Sequence, residues 1–208
     1  MPDADNVLYL CESEAPDLRG LRSLSCLPGR AGVLMHRAAT RGGVYMPGSG
    51  RLNPDVGTLV YADIEGPIPG AEVIVKPYSG LWVDDWHTEE VPGEGPVKRQ
   101  LRMYGVSEPW HESIVAVKTP LGIEPTWDWV LLERHDTPNY QLLPDRWRFA
   151  KDRATVRHLG PRCSLLPLNA GVIYKPDLNK KALTFAFGAN PALILVREKD
   201  LLAEIVND

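Results

Sequence analysis

Residues 28–61 read PGRAGVLMHRAATRGGVYMPGSGRLNPDVGTLVY, and residues 125–158 read PTWDWVLLERHDTPNYQLLPDRWRFAKDRATVRH. A shift of 97 residues lays the first stretch on the second without a gap. The identical pairs include Pro28/Pro125, Val33/Val130, Leu34/Leu131, Arg37/Arg134, Thr40/Thr137, Pro47/Pro144 and Thr58/Thr155. Because self-similarity at a fixed spacing is typical of a repeated structural unit, we infer that the chain contains two copies of one domain.

The repeat continues beyond these stretches. Ala71–Pro77 matches Ala170–Pro176 at an offset of 99 residues, and Ile114–Lys118 is paired with Leu193–Arg197 at an offset of 79. The fall in offset indicates 20 extra residues in the first copy. The predicted organisation is an N-terminal arm at 1–27, a first domain at 28–123 with an insertion near 85–110, and a second domain at 124–208.

Short apolar runs bounded by turn-forming residues make up both copies. The chain contains 18 glycines and 19 prolines, and helical periodicity is nearly absent. In Arg146–Phe149 arginine and aromatic residues alternate, as they do in a half-buried strand. We therefore predict an all-β protein in which each copy forms a β-barrel and the insertion in the first copy resembles a β-hairpin.

The composition excludes several classes of protein. The longest charge-free stretch, 182–196, is broken by glycine, asparagine and proline and is shorter than the ~20 apolar residues of a membrane helix. The acidic N-terminus lacks the basic start of a signal peptide, and three widely spaced cysteines do not form a disulfide framework. We therefore expect no membrane association, and a protein that is cytoplasmic or assembled into a virion. The formal net charge of −4 does not favour nucleic acid as a partner.

Seven stretches of the chain follow one another in an order known from a protein family. They are Val33–Arg37, Gly42–Pro47, Gly57–Val60, Val73–Gly80, Val130–Arg134, Leu142–Asp145 and Ala192–Ala203. In this order the chain resembles the GroES-type co-chaperonins. The shared features are a strand ending in a basic residue, a Gly-Gly-aliphatic-aliphatic-Pro loop, a Gly-x-Val strand and a closing aliphatic strand with Leu-Leu-Ala. The tandem copies are similar to the double-domain co-chaperonins of plastids.

The resemblance implies a barrel that assembles into a ring and caps a chaperonin. Each mobile loop would then place three residues in a hydrophobic groove of the partner. The corresponding residues are Val44, Tyr45 and Met46 in the first copy and Gln141, Leu142 and Leu143 in the second. In this hypothesis the protein is a double-domain co-chaperonin of a GroEL-type ring.

The loops themselves favour a second hypothesis of another class. Six residues precede the three contact residues in each copy, residues 38–43 and 135–140, and such a segment extends at most about 20 Å. We therefore favour a non-enzymatic, oligomeric structural or assembly protein, such as a capsid or tail component of a phage virion. Its partners are then neighbouring copies or shell subunits.

The N-terminal arm is acidic and contains one apolar run. Residues 1–29 carry five acids and two arginines, and Val7–Leu10 has the composition of a strand. Two interpretations stay open: Val7–Leu10 adds to the sheet edge of a neighbouring subunit, or it covers the protein's own barrel.

Two histidines with neighbouring tryptophans are the best candidates for chemistry. His87 follows Trp86 and His111 follows Trp110, and acids surround both pairs. Neither segment has the ligand spacing of a metal site, so we expect no metal. We interpret Trp86 and Trp110 as partner-binding anchors or as residues that pack on the barrel.

A basic stripe runs through the second copy. Its residues are Arg146, Arg148, Lys151, Arg153 and Arg157. Such a stripe can contact phosphates or, more simply, the acidic arm of a neighbouring copy. The chain has no GxSxG, P-loop or GxGxxG motif, and we expect no catalytic residues and no cofactor.

Overall fold

A computed structural model of the protein describes residues 7–10, 13–23, 28–38, 56–62, 69–76, 79–104, 113–136, 149–174, 184–187 and 192–205. These residues form sixteen β-strands and a single 3-10 turn at Glu198–Asp200, and none of them lies in an α-helix. The prediction of an all-β protein is confirmed. No described segment is a helix long and apolar enough to cross a membrane.

The strands are numbered in chain order. They are β1 Val7–Leu10, β2 Ser13–Glu14, β3 Ala31–Met35, β4 Arg37–Ala38, β5 Val56–Ala62, β6 Glu72–Val75, β7 Leu81–Val91, β8 Gly95–Tyr104, β9 Ile114–Thr119, β10 Gly122–Pro125, β11 Trp129–Asp136, β12 Phe149–Leu159, β13 Gly171–Tyr174, β14 Thr184–Phe187, β15 Leu193–Arg197 and β16 Leu201–Ile205.

The chain forms two compact units. The first unit comprises residues 11–123, and the second comprises residues 124–208 together with the strand Val7–Leu10. One seven-stranded sheet has the order β10-β9-β6-β5-β3-β8-β7 and the other the order β1-β14-β15-β11-β12-β13-β16. β1 and β14 are parallel, and the neighbours from β9 to β7 in the first order and from β14 to β16 in the second are antiparallel.

Six strands recur in both sheets in the same order. β3, β5, β6, β7, β8 and β9 of the first unit correspond to β11, β12, β13, β14, β15 and β16 of the second. The agreement extends to single hydrogen bonds: the Leu59 amide donates to the Ala71 carbonyl at 2.9 Å, and the Val156 amide donates to the Ala170 carbonyl at 2.9 Å. The internal repeat of the sequence is therefore a repeat of topology.

The repeat corrects one pairing made from the sequence. Ile114–Thr119 corresponds to Leu201–Ile205, and not to Leu193–Arg197, because β9 pairs with β6 as β16 pairs with β13. Leu193–Arg197 lies beside β11 as β8 lies beside β3. The two runs were confused because both are aliphatic and end in a basic residue, and periodicity does not separate one buried strand from another.

The expected insertion is an extension of a hairpin that both units share. β7 and β8 form one antiparallel hairpin around the turn at residues 92–94, and β14 and β15 form its shorter counterpart. The hairpin therefore begins at Leu81 rather than near 85, and residues 105–110 of the predicted insertion lie outside the described residues.

The described strands do not form the closed barrels expected from the sequence. One sheet ends at β10 and β7, and the other ends at β1 and β16. Each of these four strands has one neighbour among the described residues, so each sheet is open there. The sequence pattern predicts which residues are strands, but closure depends on long-range pairing that periodicity does not encode.

Each unit has its own hydrophobic core. The core of the first unit contains Ala31, Val33, Met35, Leu59, Val73, Val75, Tyr104 and Ile114. The core of the second contains Val130, Leu132, Ala154, Val156, Ala170, Val172, Tyr174, Ile194 and Val196. Alternate residues of the central strands supply both sets, because successive side chains of a strand point to opposite faces.

Gly160 directly follows β12, and the space around its Cα is too small for a side chain. A Cβ there would lie 2.4 Å from the Trp127 carbonyl oxygen and 2.8 Å from that of Thr126, both backbone atoms. Gly160→Ala should therefore lower the free energy of unfolding by about 2–3 kcal/mol in urea titrations. Gly171→Ala is the control: its Cβ would meet the Ile205 side chain at 3.2 Å, and we expect a smaller loss. Equal losses in the two variants would contradict the prediction.

Candidate functional site

Most of the predicted contact residues lie outside the described part of the chain. They are Val44, Tyr45, Met46, Trp110, Gln141, Leu142, Leu143, Arg146 and Arg148. Lys151 lies in β12, although its side chain is outside the description. The structure therefore places Trp86, Arg153 and Arg157 of the predicted set.

Trp86 lies in β7 and contacts its own chain. The half-buried indole packs against the buried cluster of Leu34, Tyr61 and Leu101, and the Arg22 guanidinium lies 5.8 Å from the ring centre. This arrangement helps to hold the arm residues 13–23 on the outer face of the first sheet. The role of Trp86 as an anchor for a partner stays a prediction.

The described part of the basic stripe is partly neutralised. Arg153 and Arg157 are exposed and lie four residues apart on the face of β12 opposite to the buried Ala154 and Val156. Nε of Arg157 donates to the Glu133 carboxylate at 2.5 Å. Because an exposed ion pair leaves little net charge, this face is weaker as an anion site than the arginine count of the sequence suggests.

The arm is fastened to the first unit by a polar contact that we call the arm latch, formed by Asp17, His87, Glu89 and Arg99. The Asp17 amide donates to Oε2 of Glu89 at 2.5 Å. Nε2 of His87 lies 2.6 Å from the Asp17 carbonyl oxygen, to which it donates. Both contacts join the backbone of the arm to side chains of β7, so they hold the arm without depending on its own side chains.

The centre of the arm latch is a buried ion pair. The Glu89 and Arg99 side chains are 5% and 3% exposed, and Nε of Arg99 donates to Oε1 of Glu89 at 2.7 Å. Nη1 of Arg99 also donates to the Glu14 carbonyl oxygen, at 3.4 Å. Two charges are stable in such a place only when they are paired and hydrogen-bonded, which these contacts provide.

Sequence reasoning missed the arm latch. The pairing of β7 with β8 places His87 opposite Arg99 and Glu89 opposite Val97. Glu89 and Arg99 are therefore diagonal neighbours on one face. Opposite charges at alternate positions of a predicted hairpin were the available signal.

The described residues around His87 do not form a metal centre. No group of three or more histidine, cysteine, aspartate or glutamate side chains that could hold an ion occurs in the described part of the chain. The His87 ring is occupied by the Asp17 carbonyl, and His111 lies outside the described residues.

A contact between a histidine and a threonine recurs in the two units. Nε2 of His36 lies 2.9 Å from Oγ1 of Thr58, and Nε2 of His135 lies 2.8 Å from Oγ1 of Thr155. His36 is buried, whereas His135 is exposed. Desolvation by burial lowers the pKa of His36 to about 4. The two units thus contain the same histidine–threonine contact, once with a buried ring and once with an exposed ring.

Cys163 has the environment of a structural thiol. Burial and the nearby Glu198 carboxylate raise the pKa of the thiol to about 11, and its sulfur donates to the Trp129 carbonyl oxygen at 3.4 Å. A thiol with a raised pKa is a poor nucleophile because little thiolate is present near neutral pH.

The clearest difference between the two repeats lies at their last strands. In the first unit β9 lies between β6 and β10, whereas its counterpart β16 has β13 as its one neighbour among the described strands. Val115 of β9 is 0% exposed, and Leu202, its equivalent in β16, is 51% exposed. Both residues lie at the same register shift of their strands. The open edge of β16 is therefore the candidate interface.

Comparison with models of known protein families gives no match, and comparison with curated proteins gives none either. The functional conclusion depends on the geometry described above.

Proposed function

We propose that the protein is a non-enzymatic structural or assembly protein that forms homo-oligomers through the open edge of β16. The observation that carries the proposal is the difference between the two last strands. In the first unit the strand after β9, β10, covers its edge, and in the second unit the described residues leave the same edge open. A strand from a second copy supplies the missing neighbour.

The composition of β16 supports an added strand. Its residues are LLAEI, and the middle three are exposed. An open edge with apolar side chains offers unpaired backbone groups and a surface that an incoming strand buries. Glu204 is the one charge within the strand, which is little protection against pairing with another chain.

Buried charges of the second unit support a structural rather than a catalytic role. The Glu198 carboxylate accepts hydrogen bonds from the backbone amides of Ser164 and Leu165 at 2.8–3.2 Å. Nη2 of Arg197 donates to Asp128 at 2.6 Å. In both cases the charged group holds a loop or turn in place, as the Glu89 and Arg99 pair holds the arm.

A particle component such as a virion protein is the role that we propose for these oligomers. The relationship to GroES-like barrels is part of the same proposal, and its support is the order of the sequence motifs and the six-strand topology that occurs twice. A co-chaperonin role is the alternative that the experiment below also tests.

The native mass and symmetry of the full chain test the proposal. We expect an oligomer for the wild type and a shift to the monomer for Leu202→Lys, because a charge at this edge opposes burial. Leu168→Lys is the matched control, since Leu168 is also exposed but lies in the loop before β13. A wild-type monomer at about 100 μM would refute the proposal, since such an assembly would bind too weakly to build a particle.

Addition of a GroEL-type chaperonin separates the alternative. A co-chaperonin changes the ATP turnover of the ring and protects Val44–Met46 and Leu142–Leu143 from hydrogen exchange. A particle component leaves both unchanged.

A further inference from the structure

A second open edge lies in the first unit, at the start of β7. Leu81 is 71% exposed and Trp82 is 40% exposed, and β7 has β8 as its one partner among the described strands. The two side chains point to opposite faces of the sheet, so this part of the strand carries an exposed apolar side chain on each face.

The rest of β7 carries features that oppose strand addition. The register with β8 shifts between Val83 and His87, and Asp85 has a φ of +51°. Asp84, Asp85 and Glu90 are exposed acids. Bulges and charges are common devices that keep edge strands from pairing with other chains. These devices begin after Val83, so Leu81–Val83 is a short, regular and apolar edge.

The second unit shows an added strand at the equivalent edge. β14 corresponds to β7, and β1 lies parallel to it with Leu8 opposite Phe185. The pairing of Phe185 with Leu195 in that hairpin corresponds to the pairing of Leu81 with Met103. The edge that receives Val7–Leu10 in one unit is therefore the edge that Leu81–Val83 presents in the other.

We propose that Leu81–Val83 is a docking site for an extended aliphatic peptide segment of a partner protein, which adds to β7 as a parallel strand. The chemistry of the segment follows from that of Val7–Leu10, whose sequence is VLYL. Apolar residues of the incoming strand cover Leu81 on one face of the sheet and Trp82 on the other. The acids that follow Val83 disfavour a segment that ends in aspartate or glutamate.

Trp82 and Arg102 form one wall of the site. The Arg102 guanidinium lies 4.7 Å from the centre of the Trp82 ring, and Arg102 is itself buried. The guanidinium beside the ring restricts the indole, whose exposed part contributes apolar surface to the site. A restrained aromatic surface binds with a smaller loss of side-chain entropy than a mobile one.

The test uses a labelled peptide with the sequence of residues 4–13, in which Cys11 is replaced by serine. Fluorescence anisotropy should show saturable binding to the full chain, and hydrogen exchange should show new protection at 81–83. Leu81→Lys should weaken binding at least tenfold. Leu121→Lys, a change at an exposed leucine in the turn between β9 and β10, should leave it unchanged.

Three outcomes overturn the proposal. They are the absence of saturable binding at about 1 mM peptide, equal binding to Leu81→Lys and the wild type, and undiminished binding of a peptide whose backbone amides are N-methylated at alternate positions. The same titration in the Leu202→Lys background separates this site from the β16 edge, because loss of self-association leaves the β7 edge intact.

Discussion

Arg99→Leu is expected to lower the free energy of unfolding of the first unit by about 3–5 kcal/mol. The change leaves the Glu89 carboxylate buried without its cation and removes the hydrogen bond from Arg99 to the Glu14 carbonyl. Urea unfolding followed by hydrogen exchange across β7 and β8 assigns the loss to this unit. The arm should also lose protection, because the Asp17 amide and His87 depend on the same contacts.

The neighbouring residue provides the matched control. Nζ of Lys98 lies 2.6 Å from the Asp85 carboxylate, but the two side chains are 63% and 58% exposed. Lys98→Leu should therefore cost less than about 1 kcal/mol. A double change of Glu89 and Arg99 to leucine should recover much of the loss, since no charge then remains unpaired. Similar losses for Arg99→Leu and Lys98→Leu would show that the buried pair is not what stabilises the hairpin.

Acidification should destabilise the protein through His36. Burial lowers the pKa of His36 to about 4, whereas the unfolded chain takes up the proton near the ordinary value of 6.5. The unfolded state thus binds more protons in this window, so the stability is complete above pH 6.5 and falls as the pH approaches 4. The loss amounts to at most about 3 kcal/mol, given 1.36 kcal/mol per pKa unit.

Urea titrations at a series of pH values across this window measure the effect. His36→Asn cannot titrate, so its stability should change less with pH than that of the wild type. His135→Asn removes the equivalent but exposed ring and should keep the wild-type acid sensitivity. If His36→Asn loses stability on acidification as steeply as the wild type, another group is responsible.

The sequence was sufficient for the all-β class and for the presence of two related halves, but not for the open sheets or the register. The alignment at 97 residues pairs Met35 with Leu132, whereas the structure places Met35 opposite Gly57 and Arg134 opposite Ala154. Since Gly57 and Ala154 are equivalent, Met35 corresponds to Arg134. A shift of two residues leaves the same face of a strand inside, so an apolar pattern alone does not detect it.

The candidate interfaces were less predictable than the fold. Leu81 and Leu202 are ordinary leucines of strand-like runs, and their exposure depends on which strands become neighbours. Glu89 and Arg99 show the opposite case. They are charged residues of a hairpin, yet they are buried by an arm that lies about 70 residues earlier in the chain. Propensity and composition describe single strands, and these features depend on pairs of them.

The parallel pair of β1 and β14 joins two segments that lie far apart in the chain. During synthesis at about 5–20 residues per second, β1 leaves the ribosome roughly 10–35 s before its partner strand exists. Residues 11–123 are synthesised long before that time, so the first unit can fold while β1 still lacks its partner strand. The second sheet then acquires its outermost strand only after β14 has been made. One edge of this sheet is thus completed by a strand that is synthesised long before the strand it pairs with.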